Sequence, residues 1–141
     1  MFKLKKILGA RNNNPEIVEI DVVVAADCIP GRLYIFNGDN LCLHNGTKSN
    51  VVFIPIEYAP GDYTQRRIRG YYVSSNMIFE TKVHGETSGC YCGNTYKAHI
   101  NDMDMPESVD GIEISYGDFC IVTDPNDCFY TGTVYIRILV D

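Results

Sequence analysis

The feature that most constrains this chain is a succession of short segments with β-strand alternation, separated by Gly and Asn turns, between Ile17 and Asp141. Ile and Val together number 27, whereas Ala and Leu number 11. β-branched side chains pack well on a pleated sheet and crowd a helix. The sequence therefore predicts one all-β domain, a small antiparallel β-barrel or sandwich, in a chain of 141 residues.

Ten segments carry this strand pattern. In the first, the apolar Val18, Ile20 and Val22 alternate with the acidic Glu19 and Asp21, as expected for a strand with one solvent-exposed face. The predicted strands are residues 18–22, 33–36, 41–44, 51–56, 65–73, 77–84, 95–100, 112–116, 118–123 and 133–140.

Two turns are predicted to form hairpins. Asn37-Gly38 favours a tight hairpin, because these residues adopt positive φ angles readily. A second hairpin is predicted with its turn at residues 45–50 and its outgoing strand at 51–56. Pro55 cannot donate a ladder hydrogen bond, which indicates a sheet edge or a strand end.

The charge divides the chain into two parts. The first eleven residues carry +4 and no acid, so a total of −6 leaves −10 on the remaining 130. We interpret residues 1–16 as an extended basic and apolar N-terminal arm, and 17–141 as the β-domain with an irregular insertion at 85–111. We expect no internal repeat. The acidic body disfavours nucleic acid, and no apolar run is long enough to span a membrane.

The cysteines are expected to be reduced and to behave as small buried apolar side chains, since we see no signal peptide before them. They are Cys28, Cys42, Cys90, Cys92, Cys120 and Cys128. Cys90 and Cys92, near His84 and His99, could ligate zinc, although structural zinc pairs are usually separated by two to four residues. A nucleophilic Cys and His pair is a further alternative. We predict no catalytic residues, no metal and no cofactor.

Other polar and aromatic groups also allow two interpretations. Asp102, Asp104, Glu107 and Asp110 could bind calcium, but they also suit a solvated loop. Tyrosines could stack on sugars or bridge the core and its rim; the candidates are Tyr71, Tyr72, Tyr91 and Tyr96. Three arginines on one predicted strand are candidates for contacts with acids of a neighbouring strand or subunit, namely Arg66, Arg67 and Arg69.

A series of glycine-containing and apolar segments runs through most of the chain. These segments are Gly31-Arg32-Leu33, Gly38 to Leu41, Gly46, Phe53-Ile54-Pro55-Ile56-Glu57, Gly61, Arg67-Ile68, Met77-Ile78-Phe79-Glu80, Gly117-Asp118-Phe119 and Thr133-Val134-Tyr135-Ile136-Arg137. In this order they resemble the head decoration proteins of tailed bacteriophages. The segment 4–15, with Gly9-Ala10-Arg11-Asn12-Asn13, is similar to the arm that precedes the β-domain of those proteins.

The resemblance implies a protein without enzymatic activity that binds the outside of a mature capsid, often as a trimer, after assembly in the host cytoplasm. The partner would be the major capsid protein. We expect the arm to make the contact, through Lys3, Leu4, Lys5, Lys6, Ile7, Leu8 and Arg11. The alternative is a glycan-binding or host-binding β-module displayed on a virion.

Overall fold

The computed structural model of the protein describes residues 1–84, 90–99, 111–123 and 132–140. All regular structure in these residues is β-strand, which confirms the all-β prediction. The strands are β1 Lys3–Ile7, β2 Val18–Val24, β3 Tyr34–Asn37, β4 Asn40–Leu43, β5 Phe53–Pro55, β6 Gln65–Tyr72, β7 Met77–His84, β8 Thr95–His99, β9 Gly111–Tyr116, β10 Cys120–Val122 and β11 Thr133–Ile138. In the described part of the chain, no helix is long and apolar enough to cross a membrane.

Strands β2 to β6 form a closed five-stranded barrel in the order β2-β4-β3-β5-β6. The pairs are antiparallel except β2 with β4, which run parallel. The β3–β4 hairpin turns through Gly38 and Asp39, and only Gly38 has a positive φ, of 59°. Glycine tolerates this backbone conformation, so the predicted hairpin forms at the predicted place.

Strands β7 to β11 form a second closed ring. Their order is β7-β11-β10-β8-β9, and β9 returns to β7. The pairs are again antiparallel except one, β7 with β9. If β7 to β11 are placed on β2 to β6 in chain order, the strand order and every pair direction coincide. The chain therefore contains two five-stranded barrels of identical topology, which corrects the expectation that it has no internal repeat.

A short sequence motif accompanies the repeat. Cys28-x-x-Gly31-x-x-Tyr34 precedes and enters β3, and Cys90-x-x-Gly93-x-x-Tyr96 stands in the same place relative to β8. The two glycines have φ angles of 85° and 88°. In both turns the backbone N–H that follows the glycine donates to the carbonyl three residues earlier, from Arg32 to Ile29 and from Asn94 to Tyr91.

The two barrels share a hydrophobic core. Inside the first barrel lies a cluster that includes Val24, Tyr34 and Ile68. A larger cluster joins side chains of the first barrel, such as Leu33 and Val52, to the interior of the second. Burial of apolar area across this junction ties the barrels into one body.

The basic segment at the start of the chain, predicted as an extended arm in front of the β-domain, contributes a strand to the second barrel's sheet. Residues Lys3–Ile7 form β1, which pairs antiparallel with β7, and Phe2 is buried beside Phe119, with ring centroids 5.8 Å apart. Apolar contacts support the pairing, because Leu4 and Ile7 pack against the core on either side of a shift in register. Residues 9–16 contain no strand and are mostly exposed.

The predicted second hairpin is also wrong. Strand β5 pairs with β3 and β6 and not with β4. The connection at residues 45–50 instead crosses to the second barrel: Ala98 N–H donates to the Gly46 carbonyl at 3.4 Å, and Ser49 forms a bridge with Val140. Tertiary contacts thus replace the local turn. Pro55 ends β5, as its missing N–H suggested.

Candidate functional site

The cysteines and histidines do not assemble a reactive centre in the part of the chain that the structure describes. No group of three or more His, Cys, Asp or Glu side chains there could hold a metal ion. Of the two cysteines considered as zinc ligands, Cys90 is buried just before a turn and Cys92 is exposed within it. The His99 ring instead lies 3.3 Å from the Glu113 carboxylate. The calcium candidates Asp102, Asp104, Glu107 and Asp110, together with Cys128, lie outside the described residues.

Two of the buried thiols are held in their protonated form. Burial, with a smaller contribution from Asp27, raises the pKa of Cys28 to about 12. Burial also raises the pKa of Cys120, with the neighbouring Cys90 adding to the effect. Because the thiolate is the nucleophile and the metal ligand, these two side chains serve as core residues.

The predicted capsid-binding residues lie on an edge strand and the loop that follows it. Strand β1 ends the six-stranded sheet, and its lysines, Lys3, Lys5 and Lys6, are exposed. The Lys5 ammonium lies 3.9 Å from the Glu80 carboxylate on β7. In contrast, Leu4 and Ile7 are partly buried and pack against the core, so they hold β1 in place on the sheet.

The loop after β1 covers the end of this edge. Ile7 N–H donates to Asn13 Oδ1 at 3.2 Å, and Ala10 N–H donates to the Ile7 carbonyl at 3.2 Å. Leu8 is 38 % exposed, and Arg11 is exposed in the loop. The structure thus places the four basic side chains on the surface but holds three of them on a fixed strand.

Arg67 and Arg69 of β6 lie on the outer face of the first barrel, whereas Arg66 lies on the face of the buried Ile68. All three arginines pair within their own chain. Arg67 Nε lies 3.2 Å from Asp21, which stands opposite it on β2. Arg69 Nε lies 3.4 Å from Glu57. Arg66 lies 2.9 Å from Asp62. Contacts of these arginines with a neighbouring subunit stay a prediction, and any such contact would compete with acids already in place.

Hydrogen bonds shift the pKa values of this charged face. The hydrogen bond from Arg66 lowers the pKa of Asp62, and the hydrogen bond to Asp21 raises the pKa of Arg67. Each shift favours the charged form of the group. The face therefore stays ionised around neutral pH, with its positive and negative charges interleaved.

A second strand edge lies on the first barrel, at β2. Val24 N–H donates to Thr64 on the β6 side, whereas Val23 N–H donates to Asp39 on the β4 side. Backbone groups alternate along a strand, so those of Glu19 and Asp21 point to the same side as Val23. Of the residues of β2, only Val23 and Val24 pair with β4. No described strand pairs with Glu19 or Asp21 on that side.

The tyrosines proposed as a sugar platform separate into two groups. Tyr71 and Tyr96 are buried, whereas Tyr72 and Tyr91 are 43 % and 53 % exposed. Tyr72 lines a shallow groove of about 330 Å³ with Asn50, Val51, Val52 and Val73. Sequence reasoning did not single out the most exposed aromatic side chain described, Tyr116, which is 86 % exposed.

Comparison of the chain with protein-family models, with curated proteins and with solved structures found no match.

Proposed function

We propose that the protein is a virion structural protein that binds the outer surface of a tailed-phage capsid and stabilises the shell. In this proposal it has no enzymatic activity, is assembled in the host cytoplasm and resides on the capsid surface. The resemblance of its strand and turn segments to head decoration proteins supports the proposal.

The observation that carries the proposal is the fusion of two closed barrels through one core, with a basic edge strand fixed on the second barrel. A protein that binds only the assembled shell stabilises it by mass action. A rigid body that contacts several capsid subunits holds each contact at high effective concentration once the first has formed. A double barrel with a large shared core is suited to this task.

The partner in this proposal is the major capsid protein, and the decorating species is a homo-oligomer, a trimer. Each additional protomer would multiply the number of simultaneous contacts. Nucleic acid is not a proposed partner, because the net charge of −6 opposes binding to phosphates.

The fixed strand changes how attachment should be tested. Deleting residues 1–15 would remove Phe2 from the core and β1 from the sheet, so lost binding could reflect unfolding. We therefore choose the double substitution Lys3→Gln/Lys6→Gln, which changes exposed charges only. The control is Lys48→Gln/Lys97→Gln, which removes two exposed charges elsewhere.

The assay is co-sedimentation of the protein with purified expanded capsids. We expect the wild type and the control to bind, and the Lys3→Gln/Lys6→Gln variant to bind about tenfold more weakly. Unchanged binding by this variant would remove the basic strand from the interface. Failure of the wild type to bind capsids would overturn the proposed function.

The second candidate function is a glycan-binding or host-binding module on a virion. It is favoured by the exposure of Tyr72 and Tyr91, since aromatic faces stack on sugars. A glycan array decides between the candidates. Clear signals that disappear with Tyr91→Ala or Tyr72→Ala would place this function ahead of capsid decoration.

A further inference from the structure

The internal repeat gives each residue of β2 an equivalent in β7. The parallel pair Val24 with Leu41 corresponds to Val83 with Ile112, since both pairs stand where the parallel strands of their barrel meet. Moving back along both strands places residues 18–21 on residues 77–80. The antiparallel pairing of Ile20 with Ile68 and of Phe79 with Ile136 agrees with this alignment, because both pairs join apolar side chains of equivalent strands.

In the second barrel the edge at residues 77–80 is occupied by β1. The pairs run from Lys3 opposite Glu80 to Ile7 opposite Met77. Beneath this strand Met77 and Phe79 are buried, at 6 % and 0 % relative exposure. The chain itself thus shows which kind of strand completes this edge: an antiparallel one with apolar residues toward the core and lysines toward solvent.

In the first barrel the equivalent edge carries no strand among the described residues. The backbone groups that face this open side belong to Glu19 and Asp21. Backbone groups alternate in direction along a strand, so these two residues point to the same side as Val23. The side chains of Val18 and Ile20 point toward the core but are only partly buried, unlike their equivalents Met77 and Phe79. Val18 and Ile20 are therefore more exposed than Met77 and Phe79. This difference is expected if the first barrel lacks the strand that β1 supplies to the second barrel.

We propose that the edge of β2 at residues 18–21 is an acceptor site for an extended strand of the partner, which pairs antiparallel with β2 and completes the first barrel as β1 completes the second. This inference rests on the proposed function, in which the major capsid protein supplies the strand. Strand addition obtains its affinity from main-chain hydrogen bonds and its specificity from alternate side chains.

Charge and burial specify the chemistry of the incoming strand. Asp21 takes the place of Glu80, whose carboxylate lies 3.9 Å from the ammonium of Lys5. The Asp21 side chain is 58 % exposed although Arg67 contacts it. The partner segment should therefore carry Lys or Arg opposite Asp21 and apolar residues over Val18 and Ile20. Opposite charges on paired strands favour pairing.

A second copy of this chain is a less suitable donor. Its own β1 would have to leave β7, and Phe2 would leave the core beside Phe119. Removing this ring would leave a cavity in the core, which destabilises the fold. A strand from a different protein requires no such disruption.

The first experiment uses a synthetic peptide with the sequence of residues 2–8, Phe-Lys-Leu-Lys-Lys-Ile-Leu, as the probe. We expect NMR of the full chain labelled with nitrogen-15 to show amide chemical-shift changes and slowed hydrogen exchange at Glu19 and Asp21 when the peptide is added. A peptide with Glu in place of each Lys is expected to bind at least tenfold more weakly. Changes confined to Ile78 and Glu80, where the probe could replace the chain's own β1, or no changes at all, would overturn the proposal.

The blocking variant is Glu19→Pro. Proline removes an N–H that faces the open side and leaves the ladder to β6 intact, which is the situation that edge strands tolerate. The control Glu19→Ala removes the charge and keeps the donor. We expect tenfold or greater loss of peptide binding with proline and at most a few-fold loss with alanine. If Glu19→Pro does not fold, Asp21→Pro provides the measurement, because the N–H of Asp21 faces the same side. Equal binding by a folded proline variant and its alanine control would overturn the proposal.

Capsid co-sedimentation separates this inference from the function on which it rests. We expect Glu19→Pro to bind capsids at least tenfold more weakly than Glu19→Ala. If Glu19→Pro binds as the wild type does, the capsid protein does not supply the strand, although decoration itself would stand. If the proline instead abolishes self-association of the free protein, the donor is a second copy and the assignment to a different protein is wrong.

Discussion

Tyr34 and Tyr96 occupy the same position in the two barrels, and each closes the turn before its strand in the same way. The Tyr34 hydroxyl accepts a hydrogen bond of 2.8 Å from the Ile29 N–H, and the Tyr96 hydroxyl accepts one of 2.9 Å from the Tyr91 N–H. Both donors lie five residues before the acceptor. The repeat therefore extends from strand order down to individual hydrogen bonds, and its effects can be measured at matched positions.

The matched tyrosines provide the first prediction. Tyr96→Phe should lower the free energy of unfolding by about 1 kcal/mol, the usual value of one hydrogen bond. Tyr34→Phe should cost more, about 2–3 kcal/mol, because its hydroxyl also donates to the Asp27 carbonyl. Urea denaturation followed by circular dichroism measures both values. A larger loss with Tyr96→Phe than with Tyr34→Phe would contradict the assignment.

The matched glycines provide the second prediction. Gly93→Ala should destabilise the protein by about 1–2 kcal/mol, because an L residue is strained at φ 88°. A Cβ atom at Gly93 would meet nothing within 4 Å, so the cost is one of backbone conformation alone. Gly31→Ala should cost a similar amount. Chemical synthesis with D-alanine at position 93 is the control and should restore stability; if it does not, backbone strain is the wrong explanation.

His44 provides the third prediction, a loss of stability in weak acid. Burial lowers the pKa of His44 from 6.5 to about 4, and Gly46 N–H donates to its Nδ1 at 2.9 Å. The His44 imidazole therefore takes up a proton near pH 6.5 in the unfolded chain but only near pH 4 in the folded chain. The contribution of neutral His44 to the free energy of unfolding is fully present above pH 6.5. It is lost as the pH falls toward 4, by at most about 1.4 kcal/mol per pH unit.

Thermal unfolding at several pH values between 6.5 and 5 measures this slope. His44→Gln should flatten it, because glutamine does not titrate. His99→Gln is the control, since His99 lies on the surface beside Glu113 and should leave the slope of the His44 transition in place. An unchanged slope in His44→Gln would show that another group is responsible.

Phe119 provides the fourth prediction, that the barrels unfold together. Its ring is fully buried and contacts Phe2 at 5.8 Å and His44 at 5.2 Å between ring centroids. Phe119→Ala should cost about 3–5 kcal/mol, whereas Phe119→Leu should cost less, since most of the volume remains. Near-ultraviolet and far-ultraviolet dichroism should report one common transition. Two separate transitions in the wild type would show that the shared core does not couple the barrels.

Much of the fold follows from patterns within single strands. Strands β2, β7 and β11 lie where core-facing side chains alternate with more exposed ones, because a half-buried strand requires that period. Strand β1 was missed for a physical reason. Its alternation is broken by Lys5 and Lys6, where the register with β7 shifts between Leu4 and Lys6, so the segment resembles a basic arm and not a strand.

The partners of strands were harder to predict than the strands themselves. The connection 45–50 looks like a turn, but contacts of Gly46 and Ser49 with the second barrel determine its path. Alternation within a segment carries no information on such distant contacts. The spacing shared by Cys28, Gly31 and Tyr34 and by Cys90, Gly93 and Tyr96 could have revealed the repeat. It consists of only three positions in each half, and the open edge of β2 becomes visible only when the barrels are compared.

The pairing of β1 with β7 also imposes an order on biosynthesis. All strands of the first barrel lie between Val18 and Tyr72, so this barrel can close while the ribosome is still making the second. Strand β1 leaves the ribosome earlier but has no partner until residues 77–80 follow. During that interval an exposed apolar and basic strand stands beside a nascent barrel whose equivalent edge is vacant. Its docking on β7 therefore follows the synthesis of every strand of the first barrel.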